Sequence, residues 1–271
     1  MKLRLWLSTI LLAPTVLCGT DLTPWLTTDF EIQSRATVLY QTYPYVNATR
    51  RKIGNGADDF FSTLSIGGAA FGYSAEVEAT LANTRKQHSD CDNVRLTGRY
   101  RVFDDIEGED PVTLTAGLTV TQAFRHSLFD VSSFHHGQIE GEAHVAIGKE
   151  TPFQSLWLSR WWSVLGIGMG DKGCAWLRGD VSWERNWCNQ HMARVFMHSL
   201  WGFGHYNLSN HKKFKGYGPI NHQSIDLGGR YTYIFDIGAT LSIEYAYRVY
   251  ALNFPARANL VRLSFLYPFW F

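Results

Sequence analysis

Beyond its first twenty residues, the 271-residue chain holds no apolar run long enough for a membrane helix, which needs about 20 residues. Any membrane crossing by this chain is therefore made by strands. It also lacks charge of a dominant sign. There are 25 Lys and Arg against 24 Asp and Glu, with no basic stripe. That excludes nucleic acid as a partner, because phosphate binding calls for a clear cationic surface. Phosphate loops, nucleotide fingerprints and GxSxG elbows are missing, so neither a cofactor nor a common hydrolase motif is expected. Cysteine is scarce, four in all with no CxxC, and the spacing offers no zinc site.

Aromatic residues are plentiful instead: 10 Trp, 13 Tyr and 17 Phe. The first residues have the form of a secretory signal. Lys2 and Arg4 precede an apolar core from Leu5 to Ala13, and Cys18, Gly19 and Thr20 follow. Cleavage is expected between about residues 18 and 20. Leu17 fills the place before Cys18 where a lipoprotein signal carries a small residue, which argues against lipidation. The mature chain would be close to neutral. It would keep Cys91, Cys174 and Cys188, an odd number for an oxidising compartment. The domain plan is a signal peptide over 1–20, a short periplasmic segment over 21–29 and one body over 30–271.

Within that body, twelve ribbons alternate apolar and polar residues, the period of a strand. Residues 71–82 show it well, with Tyr73, Ala75, Val77, Ala79 and Leu81 set against Ser74, Glu76, Glu78 and Thr80. Each ribbon runs about 10–14 residues, near what a tilted strand needs to cross hydrocarbon, whereas strands of soluble sandwiches prefer about 5–6. Short connections are expected at Gly67-Gly68, Asp104 to Asp110, Gly148 to Pro152, Trp187 to Gln190 and Asp236. Long ones are expected at Tyr43 to Asp59 and His205 to Asn221. Such asymmetry suits short periplasmic turns and longer external loops, with both termini in the periplasm. The tryptophans, Trp161, Trp162, Trp176, Trp183 and Trp187 among them, are read as girdles at the two interfaces.

The final ribbon, Asn259 to Phe271, places Val261, Leu263, Phe265, Tyr267, Phe269 and Phe271 on one face. This aromatic ending resembles the closing strand of Gram-negative outer-membrane β-barrel proteins of the porin-like class. The resemblance implies an all-β fold: a transmembrane antiparallel barrel of about twelve strands in the bacterial outer membrane. It implies outer-membrane lipid as surroundings and contact with the assembly machinery through Phe271. Twelve-stranded members include channels for nucleosides or acidic sugars, and also lipid hydrolases. Pro268 departs from the usual terminal pattern, and without an N–H it leaves pairing there weakened or one-sided.

With the apolar parity in lipid, the charges sort to the other face. A charge in lipid near the midplane would cost about 2–4 kcal/mol. Lumen and selectivity candidates are Glu76, Glu78, Arg95, Arg99, Arg101, Glu140, Glu142, Arg178, Asp180, Arg230 and Arg248. Most are read as cross-strand ion pairs. The Arg95, Arg99 and Arg101 row is the best candidate for a transport surface, since like charges on one face repel unless something anionic answers them. A bridge between Cys91 and Cys174 is open, because both map to the external side. His136 and His144 share a face but lie about 26 Å apart along a strand, so no metal site is expected. His222 and Ser224, with Asp226 behind them, have the His-x-Ser spacing of outer-membrane lipid hydrolases, but they point to the lumen rather than to lipid.

The resulting expectation is a narrow channel for passive diffusion of small polar or charged solutes, and not an enzyme. A non-conducting adhesin or structural barrel acting through its long loops is the alternative, and a lipid hydrolase the third.

Overall fold

A strand with one apolar and one polar face is stable only when its backbone is paired on both edges and its faces meet matching surroundings. In the computed structural model, which describes residues 21–49, 51–54, 56–153, 156–208 and 214–270, the chain meets both demands by closing on itself. The strands are β1 (Glu31–Tyr43), β2 (Tyr45–Ala48), β3 (Arg51–Ile53), β4 (Ala57–Ala70), β5 (Tyr73–Asn83), β6 (His88–Phe103), β7 (Thr113–Ala123), β8 (Ile139–Phe153), β9 (Leu156–Gly170), β10 (Ala175–Trp187), β11 (His191–Phe203), β12 (Asn221–Ile234), β13 (Thr240–Leu252), β14 (Phe254–Ala256) and β15 (Asn259–Trp270). Twelve of them form a closed antiparallel barrel, and β2, β3 and β14 make a small separate sheet. The seam joins β1 to β15, in register from Glu31 opposite Trp270 to Thr42 opposite Asn259.

The sorting of side chains inverts that of a soluble protein. Leu64 (58% exposed), Leu96, Leu118 (65%), Leu165, Ile167, Val195 and Ile243 stand on the outer surface. Thr63, Ser65, Glu78, Thr97, Thr121, Glu184, Thr232 and Glu244 are buried inside. Aromatic pairs flank the outer apolar band. Phe30 with Phe71 and Tyr233 with Phe235 lie toward the end carrying the short turns, and Tyr40 with Phe60 and Trp201 with Tyr250 toward the end carrying the loops. These are called the turn end and the loop end below.

Two expected turns move. The hairpin between β4 and β5 is made by Phe71 (φ 54°) and Gly72 (φ 78°), a pair of positive φ values suited to a two-residue I′ turn. Gly67 and Gly68 lie inside β4. There a Cβ on Gly67 would sit 2.8 Å from the Ala75 carbonyl oxygen and one on Gly68 2.9 Å from that of Glu31, so these glycines allow close strand approach rather than a turn. Likewise β8 continues through Gly148 to Phe153, and Pro152 is taken up where the register against β9 shifts. A bulge tolerates the missing N–H. Cys188 (φ 55°) and Asn189 (φ 56°) form a second I′ turn between β10 and β11. Pro268 is one-sided as expected: β15 remains in register with β1 there, while its pairing with β13 ends at Leu266.

Candidate functional site

The lumen is lined by polar side chains that answer one another across strands. Thr97 and Thr119 are 3.1 Å apart, and Thr37 and Ser264 3.0 Å. Among the charges, Arg35 meets Glu76 at 3.9 Å and Arg95 meets Glu78 at 3.5 Å. Arg178 meets Glu142 at 2.6 Å and Asp180 at 3.8 Å. Arg248 grips both oxygens of Asp226, at 2.6 and 2.8 Å. Arg230 meets Glu244 at 2.6 Å, and Arg262 meets the same carboxylate at 2.9 Å.

The row of three arginines is divided among three tasks. Arg95 is held by Glu78. Arg99 donates to Ser74 Oγ at 3.2 Å and to the Thr23 carbonyl at 2.9 Å. Arg101 lies at the turn end, against Asp104 at 2.7 Å and Glu107 at 3.4 Å. Glu140 serves the loop end. It accepts from the backbone N–H groups of His136 and Gly137 and lies 3.6 Å from His135.

The segment expected to hang in the periplasm instead turns into the barrel. Asp21 reaches Arg194 (3.2 Å) and Arg230. Leu22 is buried against Ala146, Trp162 and Val164. The Trp25 ring meets Trp162 edge-on at 5.8 Å, lies under the Arg160 guanidinium at 4.8 Å and donates its indole N–H to Asp105 at 3.1 Å. This segment supplies a carboxylate to Arg194 and Arg230 and the Thr23 carbonyl to Arg99. The sequence hints at this only through Asp21, Leu22 and Trp25, an acid and two apolar residues in a stretch too short for any periodicity.

Three cavities meet at this plug. Two lie toward the turn end, of about 220 and 340 Å³, and one of about 250 Å³ lies beyond it toward the loops. Asp21 lines all three.

At the loop end, the connections fold over the barrel and pack into the largest apolar cluster of the described residues, including Tyr43, Val46, Val131, Tyr217, Ile220 and Phe254. Phe134 stacks on Phe254 at 4.5 Å. Tyr217 donates to the Val131 carbonyl, and the Tyr43 and Ser132 hydroxyls are 2.8 Å apart. Beneath this lid, burial alone would lower the His135 imidazole, but Asp92 at 2.8 Å and Glu140 hold it up to about 10. Burial pushes neighbouring His136 down to about 3.

Two tryptophans expected in the girdles point inward. Trp162 packs on the plug. Trp176 donates to Glu142 at 3.1 Å and stacks on His136 at 3.9 Å. Trp161, Trp183 and Trp187 do stand outward. Cys91, Cys174 and Cys188 are free thiols. Cys91 lies in β6 and Cys174 immediately precedes β10, with three strands between. That is roughly 19 Å of wall, where a bridge needs Cα atoms within about 7 Å. The hydrolase constellation does not assemble, because Asp226 is engaged by Arg248, and His222 donates through Nδ1 to the Ile220 carbonyl at 2.9 Å. No group of metal-binding side chains forms among the described residues. Residues 1–20 and Phe271 lie outside the described residues.

No protein-family model matches the chain, and no curated protein matches it in sequence. Solved structures do match in fold. An outer membrane channel from Pseudomonas putida F1 aligns over 93% of this chain and 100% of its own, with TM-score 0.65 and 8% identity. The NanC porin covers 87% of this chain and 98% of its own (TM-score 0.55, 11% identity), and the KdgM porin 87% and 99% (0.51, 9%). The chain therefore shares the barrel fold of bacterial outer-membrane channels and porins.

Proposed function

We propose that this protein is a narrow, gated channel of the bacterial outer membrane, through which small polar or charged solutes diffuse passively. The observation that carries the reading is the trio of cavities meeting at Asp21. A barrel of about eight strands is just wide enough for side chains to fill, and the interior widens with strand number. This one, with twelve strands, keeps open space on both sides of a plug held by ion pairs. The exposed apolar band, flanked by aromatics, fits lipid, and the fold neighbours named above are channels or porins. The turn end then faces the periplasm and the loop end the exterior. Export through a signal peptide removed near residues 18–20 leaves Asp21 close to the start of the mature chain, which suits its place in the lumen. Phe271 is the contact offered to the assembly machinery.

Planar-bilayer recording of the folded mature protein tests this. Discrete current steps are expected, with long closures. If neither the wild type nor a plug variant such as Trp25→Ala gives any step, the protein is not a channel.

A further inference from the structure

The plug marks a binding site as well as a closure. Arg194 and Arg230 are directly opposite in the β11–β12 register, and like charges so placed repel unless an acid answers them. The wall supplies Glu184, 3.1 Å from Arg194, and Glu244, which is shared between Arg230 and Arg262. Three guanidinium groups thus meet two wall carboxylates, and the site is one negative charge short. Asp21 brings that charge from outside the wall. The side chains of Arg194 and Arg230 are only 11% and 10% exposed, against 35% for Asp21. The two arginines are largely buried, and their occupant is the more accessible partner.

The adjoining chamber of about 250 Å³ describes what else would fit. Leu39, Phe61, Leu200 and Leu260 make part of its wall apolar. Gln41 also lines it, fully buried, with both its amide oxygen and its amide nitrogen lacking a partner. A buried amide without a partner is costly, and a polar substituent on a ligand would satisfy it.

We propose that Arg194 and Arg230 form a carboxylate-binding site for small amphipathic monocarboxylates, and that Asp21 occupies it as a built-in competitor. This rests on the channel reading for its biological meaning, since the ligand would be the permeating solute. The binding itself is separable. A self-ligand lowers apparent affinity by the fraction of sites left free, so removing its charge should expose the site.

The test is titration calorimetry of the folded protein in detergent, with benzoate as probe and benzamide as its uncharged counterpart. Asp21→Asn should bind benzoate at least about tenfold more tightly than wild type and ignore benzamide. Trp25→Ala, which loosens the plug without altering Arg194 or Arg230, should move in the same direction. Adding Arg230→Gln to Asp21→Asn rebalances the wall charges and should abolish binding. The proposal is overturned by equal affinity in wild type and Asp21→Asn, by equal binding of benzamide, or by no binding in either plug variant. Bilayer recordings report on the channel separately: binding without current would sink the channel reading and leave the site standing.

Discussion

The two ends of this barrel are closed by opposite chemistry. The loop end is shut as a domain core is shut, by Tyr43, Val131, Tyr217 and Phe254 packed together with their polar atoms satisfied. The turn end is shut as a receptor is shut, by one carboxylate on two arginines, one buried leucine and one edge-on tryptophan pair. A packed core resists exchange, whereas an ion-paired segment competes with ions and solutes for its place. The difference assigns permanence to the lid and mobility to the plug.

The largest effect expected from breaking this contrast is at the lid. Phe254→Ala should cost about 3–5 kcal/mol of lid packing. Protease cutting of the external loops should then rise steeply while the barrel stays folded, as read by heat-modifiable mobility on gels. Unchanged protection would mean that the lid cluster is not what holds the loops.

At the plug, Trp25→Ala removes an aromatic pair and a cation–π contact, each about 0.5–2 kcal/mol. Open probability in bilayers should rise by roughly 5–150-fold, with loop proteolysis unaltered. High salt should imitate the variant, because screening shortens the reach of charges from about 10 Å at 0.1 M to about 3 Å at 1 M. It should leave the lid untouched. Equal salt sensitivity at both ends would erase the distinction.

A smaller effect concerns pH at the lid. His135 is held up to about 10 in the folded protein by Asp92 and Glu140 against the pull of burial, while its ordinary value is about 6.5. Its contribution is therefore complete below about 6.5, declines as pH rises, and is gone above about 10. The melting-temperature gap between wild type and His135→Gln should narrow across that window. A constant gap would place the effect in packing rather than charge.

The smallest effect separates members of one arginine row. Arg99→Ala should loosen the plug through the lost Thr23 bond, and Arg101→Ala should change little, because Arg101 is spent on Asp104 and Glu107 at the rim. Identical shifts in reversal potential for both would restore the row to a single lining surface.

Most of the wall was legible from alternation alone. Period two placed the charges inside, and the pairing of Glu78 with Arg95 follows from opposed strands. Alternation also carried information that the girdle reading overrode. Trp162 shares its parity with the inward Arg160, and Trp176 shares its with Arg178. Their inward positions were therefore written in the chain. The turns expected at Gly67-Gly68 and Gly148 to Pro152 were misplaced because glycine signals both a turn and a close approach, and local sequence does not separate the two. The plug was illegible for a different reason. The charges around Asp21 come from β10, β11, β12, β13 and β15, and no short window contains that sum.

The seam between β1 and β15 has a consequence for how the wall fails. β1 is bonded along its length to β15 on one side and to β4 on the other, so the first and last parts of the chain are neighbours in the ring. A sheet with free edges can fray one strand at a time. A ring offers no outermost strand, and removing any member exposes two unpaired ladders at once. Loss of the wall is therefore a single collective event.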